Sequence, residues 1–249
     1  VEEQNLPAAV ASIRALGMRG VNVTIPFKEK VIPYLDECSQ EAKACGAVNL
    51  IENDGKRLIG HNMDGQGFLA SLREAGVDPE GKAVILGAGG AARAVAYSLS
   101  QQPNINVITF VSRNRANAQK LADFIANSTS CSSDAFAMED IYDEKLSSAN
   151  MVVNCTPVGM FPGINKAPLA SMDGVNSDAL IFDTIYNPME TEFMKMGKAR
   201  GMKTIGGLSM LIHQGALSFS LLTGIEPPIS FMVDLLSEYF RREQSDKNF

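Results

Sequence analysis

Two histidines, His61 and His213, are too few for a histidine-based metal centre. The four cysteines, Cys38, Cys45, Cys131 and Cys155, form no C-x-x-C pair. That spacing gives neither a zinc site nor a disulfide framework, so reduced thiols, a cytoplasmic setting and no metal are expected. No apolar run approaches the ~20 residues that cross a bilayer, so no membrane partner is expected. The opening Val1-Glu2-Glu3 is acidic and lacks the apolar region of a secretory signal. An initiator Met is also lacking, which implies processing or a start of the gene product further upstream. Lys and Arg are scattered apart from Arg113–Lys120, and the net charge is −6. A broad nucleic-acid footprint needs clustered basic residues, so none is expected. What is present is ordinary for a folded domain. The 249 residues are 45% apolar and 20% charged, enough for one large core or two small ones.

The texture changes along the chain. Pro7–Leu16 reads as a helix, Gly20–Ile25 as a strand stopped by Pro26, and Lys28–Leu35 and Gln40–Cys45 as helical. A hairpin is expected from Val48–Ile51 and Leu58–His61 around Asn53-Asp54-Gly55, with a helix over Gly65–Ala75. From Lys82 strands and helices alternate. Strands are expected at Ala83–Leu86, Asn106–Val111, Ala149–Asn154, Ala179–Asp183 and from Lys203–Thr204. The helices are Ala91–Ser100, Ala116–Ala126, Leu208–Leu222 and Ile229–Arg241. Such alternation implies an α/β fold, a Rossmann-type doubly wound parallel sheet beside a smaller α/β domain. The division expected is residues 1–64, completed by helices within 206–249, against 65–205.

The strand Lys82–Leu86 runs straight into Gly87-Ala88-Gly89-Gly90-Ala91-Ala92 and then a helix, the G-x-G-x-x-A form of a dinucleotide fingerprint. Gly87 permits the tight turn, and Gly89 leaves room for a pyrophosphate against backbone amides. Ala92 is small enough for helix–sheet packing. A structural tight turn is the competing reading. At the end of the second strand, an NAD site usually carries an acid for the ribose hydroxyl. Here the chain reads Ser112-Arg113-Asn114-Arg115, donors suited to the 2′-phosphate of NADP, although a solvated basic turn has the same composition.

Oxidising a secondary alcohol by hydride transfer needs a group that takes the hydroxyl proton and can return it. Neither histidine is placed convincingly, which leaves Lys28, after Asn22-Val23-Thr24-Ile25-Pro26-Phe27, with Asp64 as a carboxylate to hold it. Taken alone, a lysine after a proline is usually a solvated surface residue.

The segments NVTIPFK, Gly46–Asn49, GHNMDGQGF, GAGGAARA, Asn154–Met160, Asp183–Thr191 and GGLSMLIHQGA occur in the order and spacing of the shikimate dehydrogenase family, which the chain resembles from about residue 5 onward. The resemblance implies reversible, NADP-dependent reduction of 3-dehydroshikimate to shikimate, on the way to aromatic amino acids. It implies Lys28 and Asp64 as the catalytic pair and substrate contacts at Asn22, Thr24, Asn49, Tyr186 and Gln214. Cofactor contacts would fall at Gly87, Ala88, Gly89, Gly90, Ala91, Ser112, Arg113, Asn114, Arg115, Thr184 and Gly207. The small-molecule substrate is the expected partner, with the chain a monomer or homodimer. On the helix of Gln214, Leu208, Leu211 and Ile212 read as core and His213 as structural.

Two departures bear on these expectations. Met63 stands where the family usually has a small polar residue, which keeps a quinate/shikimate dehydrogenase, or a paralogue acting on a related hydroxy acid, as the alternative. The family also begins with a strand and a Ser-x-Ser-Pro turn that hold the substrate carboxylate, upstream of Val1. Were the protein to lack that part, poor shikimate binding is expected. A non-catalytic dinucleotide-binding protein is the third reading, against which the presence of both Lys28 and Asp64 speaks.

Overall fold

The computed structural model describes residues 1–141 and 143–246. In chain order the elements are α1 (Leu6–Ala15), β1 (Gly20–Asn22), β2 (Glu37–Cys38), α2 (Gln40–Cys45), β3 (Leu50–Asn53), β4 (Leu58–His61) and α3 (Asp64–Glu74). Then come β5 (Gly81–Leu86), α4 (Gly90–Ser100), β6 (Ile105–Ser112), α5 (Arg115–Ser128), β7 (Ser132–Ala137), α6 (Asp143–Ser147) and β8 (Met151–Asn154). The chain ends with β9 (Leu180–Asp183), α7 (Glu192–Ala199), β10 (Thr204–Gly206), α8 (Gly207–Thr223) and α9 (Ile229–Asp246).

Ten strands make two sheets among the described residues. The smaller has the order β1-β3-β4-β2 and the larger β10-β9-β8-β5-β6-β7. Every pairing in the larger sheet is parallel. Numbered from β5, its order is 6-5-4-1-2-3, the doubly wound arrangement. That order reverses between β5 and β8, and ligands of open α/β sheets bind beyond the carboxyl ends of the strands at such a point. Both faces of this sheet are covered, so β5 sends Ala83 and Ile85 into one cluster and Val84 and Leu86 into the other. Phe68 and Leu72 of α3 and Met210 of α8 join the first of these clusters. Phe68 meets Phe182 edge-on at 4.7 Å. The smaller sheet has its own core from Leu6, Val10, Ile13, Val48, Ile51 and Leu58. Among the described residues no helix is long and apolar enough to cross a membrane.

Several local expectations need correction. The strand expected to reach Ile25 stops at Asn22, and Thr24–Phe27 turns instead, with the Phe27 amide donating to Thr24 O at 2.9 Å. Lys28–Leu35 is not a helix. Pro33 lacks an amide hydrogen, and Ile32, Tyr34 and Leu35 donate three residues back, so one 3₁₀ turn, Ile32–Tyr34, forms. The last strand runs over Thr204–Gly206 rather than starting at Lys203. β2, β7, α6 and α7 were not expected. β7 reads Ser-Ser-Asp-Ala-Phe-Ala and lies at a sheet edge, where polar residues are tolerated on the unpaired side.

Candidate active site

Lys28 and Asp64 arrive from different elements. The carbonyl of Lys28 accepts from the Val48 amide at 2.7 Å, which ties the segment after Pro26 to the approach to β3. Asp64 opens α3, where an acid is favoured by the partial positive charge of the helix start. Its amide donates to Asn62 Oδ1 at 3.0 Å, while Asn62 Nδ2 donates to Ala47 O at 3.0 Å. Lys28 Nζ donates to Asp64 Oδ2 at 2.7 Å, the two side chains being 29% and 14% exposed. The other carboxylate oxygen accepts from Asn49 Nδ2 at 2.8 Å, and Asn49 Oδ1 accepts from the Met63 amide at 2.8 Å. Asn49 Nδ2 also lies 3.5 Å from Gln214 Oε1. One carboxylate is therefore held from both sides, with one oxygen turned to the lysine.

The glycine turn faces this pair. Gly87 has φ 117°, a conformation that L side chains rarely adopt, and a Cβ there would lie 3.0 Å from Cys155 O. A Cβ on Gly89 or Gly90 would meet no protein atom within 4 Å, so the start of α4 is bare backbone open to a ligand. Ala92 is fully buried, as close packing of α4 requires. A cavity of about 380 Å³ is lined by Lys28, Asp64, Asn62, Gly90 and Ala91 together with the Ile25–Pro26 turn. Lys28, Asp64 and the start of α4 thus share one space.

At the end of β6, Ser112 Oγ lies 3.4 Å from the Asn114 amide, and Asn114 caps α5 by accepting from the Ala116 amide at 3.0 Å. Arg113 and Arg115 are exposed, and neither has a carboxylate partner among the described residues. This donor set fits the phosphates of a dinucleotide: open amides at a helix start and free guanidinium groups beside the second strand.

Other expected site residues lie outside that cavity. Asn22 is exposed and its Nδ2 reaches Asn49 O at 3.5 Å, while Thr24 is exposed on the turn. Tyr186 is exposed, its ring 5.6 Å from that of Phe240. Gln214 Nε2 donates to Leu211 O at 3.0 Å. Thr184 Oγ1 donates to Asn154 O at 2.9 Å, and Gly207 presses on Thr184, where a Cβ would sit 2.1 Å from its carbonyl oxygen. His213 lies 3.1 Å from Glu74 of α3 and Ile212 is buried, whereas Leu208 and Leu211 are only half-buried.

Sequence reasoning missed three polar residues. Asn62 stands two residues before Asp64, a spacing that favours a side-chain turn at a helix start. Asn154 and Asp183 end the apolar strands Met-Val-Val-Asn and Leu-Ile-Phe-Asp, and both are fully buried. Burial raises the Asp183 carboxyl above its usual range, against the hydrogen bonds from Thr191, Ile185 and Asn154. Burial likewise pushes the Cys45 thiol up to about 12, with the Asp64 charge adding to the effect, so it is no nucleophile at neutral pH.

Comparison with known proteins supplies the family context. Residues 1–51 match the shikimate dehydrogenase substrate binding domain, residues 207–236 the shikimate 5'-dehydrogenase C-terminal domain, and residues 83–167 the saccharopine dehydrogenase NADP binding domain. The shikimate dehydrogenase (NADP(+)) of Syntrophomonas wolfei is 42% identical over 243 residues, 97% of this chain and 83% of that protein. Among solved structures, shikimate 5-dehydrogenase from Listeria monocytogenes in complex with shikimate and NAD is 33% identical. It superposes with a TM-score of 0.90 over 95% of this chain and 83% of that one. The quinate dehydrogenase of Corynebacterium glutamicum in complex with NAD is 34% identical, with a TM-score of 0.86, over 95% of this chain and 84% of that one.

Proposed function

Because this chain belongs to the shikimate dehydrogenase family, we propose that its cleft carries out the reversible reduction of 3-dehydroshikimate to shikimate with NADPH. The observation that carries the reading is the Lys28–Asp64 pair, 2.7 Å apart and in the same cavity as the start of α4. The open amides at the start of α4 would hold the phosphates of a nicotinamide cofactor, which would supply or accept the hydride. Lys28 handles the proton. In oxidation its neutral amine takes the hydroxyl proton as hydride leaves the carbon, giving a carbonyl and an ammonium. In reduction the ammonium returns that proton to the oxygen. Asp64 holds Lys28 in line through one oxygen while Asn49 fixes the other.

Asn22, Thr24, Tyr186 and Gln214 are read as further substrate contacts with Asn49, since a polyhydroxy acid needs several uncharged donors and acceptors. Gly87–Ala91, Thr184 and Gly207 are read as the cofactor's bed. Ser112–Arg115 are read as the 2′-phosphate grip, supported by two guanidinium groups without carboxylate partners among the described residues. Residues 1–64 with 206–249 then form the substrate side and 65–205 the cofactor side. Every side chain in this assignment comes from one chain, which suits a monomer or a homodimer. Four free thiols suit a cytoplasmic setting.

The test is nicotinamide absorbance with shikimate and quinate, each offered with NADP and with NAD. Shikimate with NADP should give the highest kcat/KM. A preference for quinate would move the assignment to the quinate-using branch, and absence of turnover with every pair would overturn it.

A further inference from the structure

Two apolar strands of the large sheet end in polar residues without access to solvent. Asn154 closes β8, Asp183 closes β9, and the register sets them opposite each other. Neither lines the Lys28–Asp64 cavity. Asp183 Oδ1 accepts from Asn154 Nδ2 at 3.0 Å and from the Ile185 amide at 3.0 Å, and Oδ2 accepts from Thr191 Oγ1 at 2.6 Å. Asn154 Oδ1 accepts from the amide and hydroxyl of Thr156, at 3.0 and 2.7 Å, and Asn154 O accepts from the Thr184 amide at 3.0 Å. These two side chains thereby fix both loops that leave the carboxyl ends of β8 and β9. The loops also join each other, Phe161 N–H donating to Asn187 O at 3.1 Å.

What rests on those loops is the cofactor's bed. Gly87 packs on Cys155 of the first loop and Gly207 on Thr184 of the second. An apolar residue would fill the space of Asp183 without the cost of burying a carboxyl group. What the carboxylate adds is direction, because three donors from three places in the chain converge on its two oxygens.

We propose that Asp183, braced by Asn154 and Thr191, is a positioning residue for hydride transfer. It sets Thr184, Ile185 and Tyr186 against a cofactor held on the glycine turn. The proposal rests on the dehydrogenase reading above, so one arm of its test needs no substrate.

The variants are Asp183→Asn, Thr191→Val and Thr191→Ser, the last keeping both the bond to Asp183 and the hydroxyl that caps α7. In the unliganded protein, amide hydrogen exchange over residues 184–191 should quicken by roughly tenfold in Asp183→Asn and Thr191→Val. It should stay native in Thr191→Ser, and β5 should be unchanged in all three. With 3-dehydroshikimate and NADPH deuterated at the transferred position, the same two variants should lose about 10–100-fold in kcat, with KM changed only a few-fold. The primary isotope effect on kcat should rise, because a misplaced hydride donor makes the chemical step limiting. Partial unfolding lowers apparent kcat but leaves the isotope effect alone. Native exchange together with a native isotope effect in Asp183→Asn and Thr191→Val would overturn the proposal, as would Thr191→Ser behaving like Thr191→Val. If the unaltered protein fails to turn over 3-dehydroshikimate, the dehydrogenase reading falls, and the exchange arm alone decides whether Asp183 sets the loop.

Discussion

Replacing Lys28 with Met keeps a straight stem and removes the ammonium, so it separates what the lysine does for the reaction from what it does for the fold. If Lys28 exchanges the substrate proton, its contribution is made mainly in the transition state. Loss of a general acid–base then lowers kcat by ~10²–10⁴, about 2.7–5.4 kcal/mol of barrier, while KM changes little. The cost to the fold is smaller. Asp64 loses a partner at 2.7 Å but keeps Asn49 at 2.8 Å, and its side chain is 14% exposed. An ion pair with this access to water is worth about 1–2 kcal/mol, a fall in Tm of roughly 2–8 °C for a chain of this size. Asp64→Asn keeps the acceptor facing Asn49 and removes the charge facing Lys28, so it too should cost rate. If the pair acts as a unit, the double variant should be scarcely slower than Lys28→Met. Cofactor binding should survive in all three, since the open amides lie on α4. Stopped-flow and steady-state absorbance with shikimate and NADP, alongside thermal unfolding, measure every quantity. A Lys28→Met protein with near-native kcat would refute the proton-transfer role.

Arg113→Asp should raise KM for NADP by roughly 10–100-fold, by removing a charge-assisted phosphate contact and adding repulsion, and should leave NAD within a few-fold. Equal loss with both cofactors would show that Arg113 does not read the 2′-phosphate. Gly89→Ala should cost the fold less than about 1 kcal/mol, because its Cβ meets no protein atom, yet weaken cofactor binding at least ~10-fold in a fluorescence titration. Gly207→Ala should instead destabilise by about 1–3 kcal/mol or more, since its Cβ would lie 2.1 Å from a backbone oxygen; unchanged thermal unfolding would contradict the packing described. Asp183 has a folded pKa raised above the usual 3.8, so its favourable contribution is present in full below that value and lost as pH rises through the folded pKa. The stability of Asp183→Asn relative to the unaltered protein should therefore grow as pH is raised from 4 and then level off. A difference that shrinks with rising pH would mean the sign is wrong.

The glycine turn was legible because its signals are local: an apolar strand, three glycines and a helix, all within residues 81–100. α3 and the hairpin were legible for the same reason. Lys28–Leu35 was misread because its apolar spacing suits a helix, while Pro33 has no amide to donate and Ile32, Tyr34 and Leu35 bond three residues back. β7 escaped notice because an edge strand can be built from serine and aspartate once a neighbour supplies its hydrogen bonds. At the site, Asn49 illustrates the limit. Its side chain joins Asp64 and Met63, 15 and 14 residues away, and Gln214 near the other end of the chain. Nothing in the neighbourhood of Asn49 announces those partners. Asn154 and Asp183 did leave a trace, as polar ends to apolar strands. Only the strand register turns two such ends into a pair.

α8 has a bearing on the order in which the molecule can be made. Its first residue presses on Thr184, its middle carries Gln214 to within 3.5 Å of Asn49, and its last turn holds the small sheet. There Leu222 packs against Gly20 and offers its carbonyl to Arg19 at 3.0 Å, across 203 residues of sequence. During synthesis the apolar cluster spanning residues 6–58 can therefore close early, yet Arg19 and Gly20 meet their partner on α8 only once residue 222 is available. The glycine turn and the Lys28–Asp64 pair exist in the chain long before α8 does. That pair is held by contacts within residues 28–64, and only the reach of Gln214 to Asn49 waits for α8.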